Sequence, residues 1–276
     1  MSFYKQPLIY QCGPFALKYA LVMLGKMEDE KEIEILAGST WWRGTDELGL
    51  EKAANHYDCD FNEIYENKSS KAIERLNIGL KKGLPTLLCV DKWSHWITVI
   101  KVENNKYICV DSGYKKVIII ISEYNLLRRW KYTDKKTSTF SGYTVHPWGK
   151  ISSRAKFTIE RAKNLMSDKY EDLALHWDSY FKVLAETTRS KNPMAEYTIT
   201  FKEFLRRNQK MIVELVADWQ GYIEYKELDT IFKNFLFVAE VYNMVIHIAD
   251  EKKALISFAS VLMLYATSIH GTYSYL

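Results

Sequence analysis

Apolar positions along the chain fall into two regimes. From residue 13 to about 145 they come in short blocks broken by glycine and proline; beyond about 150 they recur at helical spacing over long stretches. Ten of the twelve glycines and four of the five prolines precede residue 151, so the first regime predicts mixed short elements and the second long helices. Gly13–Leu24 predicts a helix closed by Gly25. Helices at Glu30–Ala37 and Asp46–His56 follow, then an extended piece at Asp60–Tyr65. A further helix at Ser69–Lys82 carries Ile73, Leu76 and Leu80 on one face. Four β-branched runs come next at hairpin spacing: Pro85–Val90, His95–Val102, Tyr107–Asp111 and Val117–Ile121. Ser122 is placed to cap a helix through Arg129, and Ser141–Val145 adds a last strand. Helices first and an antiparallel sheet later is an α+β order.

In the second regime Phe157, Ala162 and Leu165 are followed by Leu173, Trp177, Tyr180, Phe181 and Leu184. Phe201, Phe204, Leu205, Ile212, Leu215, Val216 and Trp219 continue the pattern, which ends in apolar segments at 231–248 and 254–268. Four or five such helices predict an all-α helical bundle. Its boundary with the first half falls at His146-Pro147-Trp148-Gly149-Lys150, giving domains at 1–148 and 151–276. The longest apolar run, Ala254–Ile269, is broken by Ser257, Ser260 and Thr267 and is shorter than the roughly 18–20 residues of a membrane span, so no membrane is expected.

Composition narrows the classes. The 276 residues are 47% hydrophobic and 14% aromatic, which excludes a disordered or disulfide-framework chain. A net charge of +4, without a concentrated basic face, gives no nucleic-acid footprint. The N-terminus lacks the basic and apolar stretches of a secretory signal, so the expectation is a cytoplasmic protein with Cys12, Cys59, Cys89 and Cys109 as free thiols.

The candidate chemistry starts at Cys12-Gly13-Pro14-Phe15-Ala16-Leu17. A cysteine at a helix start meets the positive end of the macrodipole, which favours thiolate. Gly13 is expected to let a substrate chain approach the sulfur, and Pro14 suits a first turn. At a helix start, Cys12 is also expected to lie outside the core. His95 begins an apolar strand that would hold its ring rigidly as the base. Asp111 ends the next strand, within reach to accept the other imidazole N–H. Gln6 is a candidate donor to an oxyanion, beside the Cys12 N–H.

Gln6-(five residues)-Cys12-Gly13-Pro14-x-Ala16-Leu17, His95-Trp96-Ile97-Thr98-Val99-Ile100 and Tyr107-Ile108-Cys109-Val110-Asp111 together resemble the double-glycine-leader, bacteriocin-processing branch of the papain-like cysteine peptidases. Leu36-Ala37-Gly38, Gly44-Thr45, Gly83-Leu84-Pro85 and Leu127-Arg128-Arg129-Trp130 add to the resemblance, which covers residues 3–148 only. It implies a papain-like N-terminal domain, with Cys12 as nucleophile, His95 as base, Asp111 as its orienter and Gln6 as oxyanion donor. Two positions depart from the pattern: Gln11 stands where relatives often have Asp, and Ser112 where they often have Pro.

The implied activity is a cysteine peptidase cleaving peptide or isopeptide bonds through an acyl-enzyme. Acyl transfer to an amine, or a silent peptide-binding module, would use the same residues. The substrate would be a peptide or protein, with the C-terminal helices as a surface for a protein partner. No cofactor is needed. His56, His146, His176, His247 and His270 fit no metal-ligand spacing, so no metal is expected. Cys59, Cys89 and Cys109 are read as buried packing residues. The basic run Lys115, Lys116, Arg128, Arg129, Lys131, Lys135 and Lys136 is read as a solvated rim, and Trp41, Trp42, Trp93 and Trp96 as packing or cleft aromatics.

Overall fold

The computed structural model describes residues 2–134, 137–149, 154–189, 197–220 and 225–270. Of the residues singled out above, Lys135, Lys136 and Lys150 fall outside this set, as do the side chains of Trp219, Thr267, Ile269 and His270. The chain divides into two compact units, Met1–His176 and Trp177–Leu276.

In the first unit, helices α1 (Cys12–Met23), α2 (Glu30–Leu36) and α3 (Glu47–His56) precede strand β1 (Cys59–Glu66). Gly25, at φ +76°, turns the chain away behind α1, as its place in the sequence predicts. Asp29 and Asp46 cap α2 and α3 by accepting from Lys31 N–H and Gly49 N–H. After α4 (Ser69–Lys81) come β2 (Thr86–Val90), β3 (His95–Glu103), β4 (Lys106–Val110) and β5 (Ile118–Ser122). Ser122 caps α5 (Glu123–Trp130) through the Asn125 N–H. A short β6 (Tyr132–Asp134) then pairs with the long β7 (Thr137–Pro147).

The sheet is antiparallel, in the order β1-β7-β2-β3-β4-β5, so the last long strand in sequence sits second in space. Two apolar clusters flank it. One holds α1, with Leu17, Leu21, Leu50, Leu87 and Trp96; the other holds α4 and α5, with Leu76, Leu88, Ile97, Leu126 and Trp130. The unit continues past the Pro147–Gly149 boundary. Ala155 N–H donates to Met23 O at 2.9 Å and Ile159 N–H to Glu103 Oε2 at 3.1 Å, leading into α6 (Ile159–Leu165) and α7 (Glu171–Leu175). Phe3 N–H then donates to Ala174 O at 2.9 Å, closing the N-terminal segment against α7.

The second unit holds α8 (Trp177–Thr188), β8 (Thr198–Thr200), α9 (Phe201–Gln220), α10 (Tyr225–Tyr242), β9 (Val245–His247) and α11 (Glu251–His270). Phe258 of α11 packs among Phe201, Phe232 and Phe235, at ring separations of 5.3, 6.0 and 5.0 Å. An all-α reading needs correction here. Asn243, at φ +52°, ends α10 inside the apolar run read as 231–248, and the β-branched Val245-Ile246 then pairs with Thr198-Ile199-Thr200. No helix among the described residues is long and apolar enough to cross a membrane.

Candidate active site

Cys12 is the first residue of α1, and its position relative to the sheet is set by one buried bond. Thr98 Oγ1, in the middle of β3, donates to the Ala16 carbonyl at 2.6 Å and so ties the first turns of α1 to the strand that His95 begins. Gly13 meets another part of the chain that the sequence does not reveal. A Cβ there would stand 2.8 Å from Thr45 Cβ and 3.4 Å from Leu50 Cδ2, so its smallness accommodates the chain's own 40–45 loop. That loop in turn accepts the Trp96 indole N–H on the Thr45 carbonyl at 3.0 Å, beside His95. Cys12 is itself only 6% exposed and packs with Ala16, Cys89 and Trp96, so it is part of the core rather than outside it.

The register of β3 with β4, Thr98 opposite Val110, brings Asp111 just past the strand end and level with the start of β3. His95 Nε2 and Asp111 Oδ1 are 2.7 Å apart. Cys12 is near enough to the same imidazole to act on its protonation, and with Nε2 taken by Asp111 the nitrogen left for the sulfur is Nδ1. Burial pulls the His95 imidazole down, but its hydrogen bonds to Asp111 and Cys12 and their negative charges outweigh burial and hold it up at about 9. Asp111 shows the converse. Burial pushes its carboxyl up, yet the bond and charge of His95, a bond from Arg129 and one from the Gly113 N–H hold it below its ordinary value. Gly113 also leaves the pair uncrowded, because a Cβ there would lie 3.1 Å from Asp111 Oδ1 and 3.5 Å from His95 Nε2.

Gln6 reaches the same end of the sheet with its amide directed elsewhere. Its Nε2 donates to the carbonyls of Leu8 and Ile9, both at 2.9 Å, while Oε1 accepts from the Ser112 hydroxyl. Two carbonyls at Nε2 and a hydroxyl at Oε1 fix which way the amide is turned. Gln6 N–H also donates to the Ser112 carbonyl at 3.0 Å, so the segment before Cys12 is tied to the residue after Asp111. The departure Ser112 thus supplies a hydroxyl that a proline could not. The other departure, Gln11, gives its amide to Glu34 Oε2 at 2.8 Å.

Arg129 is the residue that sequence reasoning missed. Placed among a solvated basic run, it is instead 17% exposed and donates from Nη1 to Asp111 Oδ2 at 2.8 Å. A cavity of about 370 Å³, lined by Thr45, Cys89, Trp93, Trp96 and Tyr143, lies beside the cluster that holds Cys12. Trp41 and Trp42 are largely exposed, and Trp93 stacks on Tyr132 at 4.2 Å. The described residues contain no group of three histidine, cysteine or acidic side chains suited to a metal ion.

No protein-family model matches the chain, and no curated protein does. Solved structures do match. One is a double glycine motif protease from an AMS/PCAT transporter in complex with the leader peptide, at 18% identity and a TM-score of 0.41, covering 52% of this chain and 90% of that one. Another is the peptidase domain of Streptococcus ComA, a bi-functional ABC transporter of a quorum-sensing pathway, at 18% identity and a TM-score of 0.41, covering 53% and 98%. The peptidase domain of Streptococcus mutans ComA matches at 18% identity and a TM-score of 0.30, covering 51% and 98%. Each of these matches covers about half of this chain.

Proposed function

We propose that this protein is a papain-like cysteine peptidase that cleaves a peptide or isopeptide bond with Cys12 as nucleophile, His95 as acid and base, and Asp111 as the orienter of His95. The observation that carries the reading is the 2.7 Å bond between His95 Nε2 and Asp111, with Cys12 near enough to act on the same ring. Below about pH 9 the ring is an imidazolium that donates to Asp111 from one nitrogen and to sulfur from the other. The thiolate attacks the carbonyl carbon, and the carbonyl π pair moves to oxygen. His95 then gives its proton to the departing amine, leaving a thioester on Cys12. The neutral ring takes a proton from water, whose hydroxide adds to the thioester and releases the acid and the thiolate. The oxyanion is met by the Cys12 N–H at the start of α1 and by the Gln6 amide, which exchanges one of its carbonyl partners for the substrate oxygen.

Iodoacetate tests the reading without a known substrate. Cys12 is expected to be alkylated rapidly and alone at pH 6, with the rate falling as His95 loses its proton near pH 9 and the anionic reagent loses the attraction of the imidazolium. The other thiols are an internal control, because burial pushes Cys59 up to about 11, Cys89 up to about 12 and Cys109 higher still. A Cys12 that reacts at pH 6 no faster than a free thiol would rule the mechanism out. A pool of synthetic peptides containing double-glycine segments, read by mass spectrometry, then identifies cleavage.

Gln6→Ala separates two roles of Gln6. Alkylation builds no oxyanion, so its rate is expected to stay within about twofold while peptide cleavage falls by about 10²-fold. Equal loss in both assays would make Gln6 a tie to Ser112 and nothing more.

A further inference from the structure

Arg129, in the last turn of α5, touches neither the sulfur nor the cavity beside it, yet its guanidinium joins two carboxylates. Nη1 holds Asp111 Oδ2 at 2.8 Å, while Nη2 and Nε grip Asp91 Oδ2 at 2.6 and 3.2 Å. The main chain repeats the link, with Asp91 N–H donating to the Arg129 carbonyl at 2.8 Å. Asp91 opens the loop between β2 and β3, whose closing pair is Val90 and His95. In that loop Asp91, Lys92 and Trp93 have φ of +53°, +62° and +63°, a run of left-handed residues that non-glycine side chains adopt at a cost. Such a loop holds its shape only when its surroundings impose it, and the charged fork on Asp91 is one such restraint. An ammonium could neutralise the two carboxylates but not bridge them at a fixed angle.

We propose that Arg129 is a positioning residue for the His95–Asp111 pair. By occupying Oδ2 it leaves Oδ1 to face the imidazole, and by gripping Asp91 it fixes the loop from which His95 enters β3. The proposal rests on the thiol-peptidase reading above.

Charge and position predict opposite shifts, which makes the role measurable. A bare cation near His95 disfavours the imidazolium, so removing it would move the alkaline limb of Cys12 alkylation upward. Loss of positioning frees Asp111 to turn, takes the acceptor from His95 and moves that limb downward. The experiment is the iodoacetate rate of Cys12 against pH in the full chain, for wild type, Arg129→Lys and Arg129→Met, with thermal melting as the check on folding. Both variants are expected to lose about fivefold in rate near pH 9, with the limb displaced downward by about one unit from its wild-type place near 9. Guanidinium ion is expected to restore part of the Arg129→Met rate. A limb that stays in place or rises in either variant overturns the proposal. If Arg129→Met does not melt cooperatively, Arg129→Lys together with Asp91→Asn decides, a downward limb supporting the role and an unmoved one ending it. A wild-type Cys12 without the fast phase would end the peptidase reading and this inference with it, whereas normal wild-type behaviour with unmoved variants ends the inference alone.

Discussion

Cys12→Ala is expected to lower cleavage of a responsive peptide by about 10⁴-fold or more, because the sulfur is the atom that bonds to the substrate carbon. No neighbour can take its place. Cys89 shares the cluster, but it has no base and burial pushes its thiol up to about 12. The substitution also removes a packed atom, since Cys12 is buried against Ala16, Cys89 and Trp96, so a stability loss of about 1 kcal/mol should accompany the loss of activity. Cys12→Ser keeps the volume and separates the two effects. It is expected to melt with the wild type and to remain inactive in the mass-spectrometric assay. If either variant kept more than about a hundredth of wild-type turnover, the nucleophile would have to be another group.

The parts of the fold that were legible in the sequence are those dictated locally. The start of α1 follows from a proline in its first turn, its end from Gly25 at positive φ, and α5 from the Ser122 hydroxyl on the Asn125 N–H. The hairpins β2–β3 and β3–β4 are also local, so His95 and Asp111 could be placed near each other from spacing alone. What depended on distant chain was less visible. Strand β7 runs from Thr137 to Pro147, well beyond the Ser141–Val145 segment that its pattern marks. Both of its faces are largely buried over Thr139–Val145, so no polar and apolar alternation betrays its length. Ribbon β8–β9 joins three-residue strands, too short to show a period. The crowding at Gly13 was not legible because the residue that meets it, Thr45, lies 32 positions on. Arg129 is the clearest case. The basic residues that flank it, Arg128 and Lys131, are solvated, and its two carboxylates lie 18 and 38 residues away. Only the sheet order brings those carboxylates together.

Asp111→Asn should change the protonation of the site more than its shape. Asp111 is ringed by donors: His95 Nε2 at 2.7 Å and Gly113 N–H at 3.0 Å on Oδ1, and Arg129 Nη1 at 2.8 Å on Oδ2. An asparagine has one acceptor oxygen and must aim its NH₂ at one of these groups. The charged Arg129 does not give up its proton and is the stronger donor, so the oxygen stays with Arg129, the NH₂ faces His95 and the Gly113 N–H loses its acceptor. His95 can meet it only with a lone pair on Nε2, as a neutral ring, so the charged form that faces the sulfur is lost. Turnover is expected to fall by about 10³- to 10⁴-fold, and the alkaline limb of alkylation to move from about 9 to near the ordinary histidine value of about 6.5. Stability follows the same sign. A histidine raised in the folded state contributes stability that is present in full below about pH 6.5 and is lost as pH rises through about 9. The gap in melting temperature between wild type and Asp111→Asn should therefore be widest near pH 6 and narrow above pH 9. Slow residual labelling of Cys12 is compatible with this role, because the carboxylate orients the ring and does not attack. A variant whose alkylation limb stayed near 9 would mean that His95 is held charged without the Asp111 carboxylate, and the orienting role would then belong to some other group.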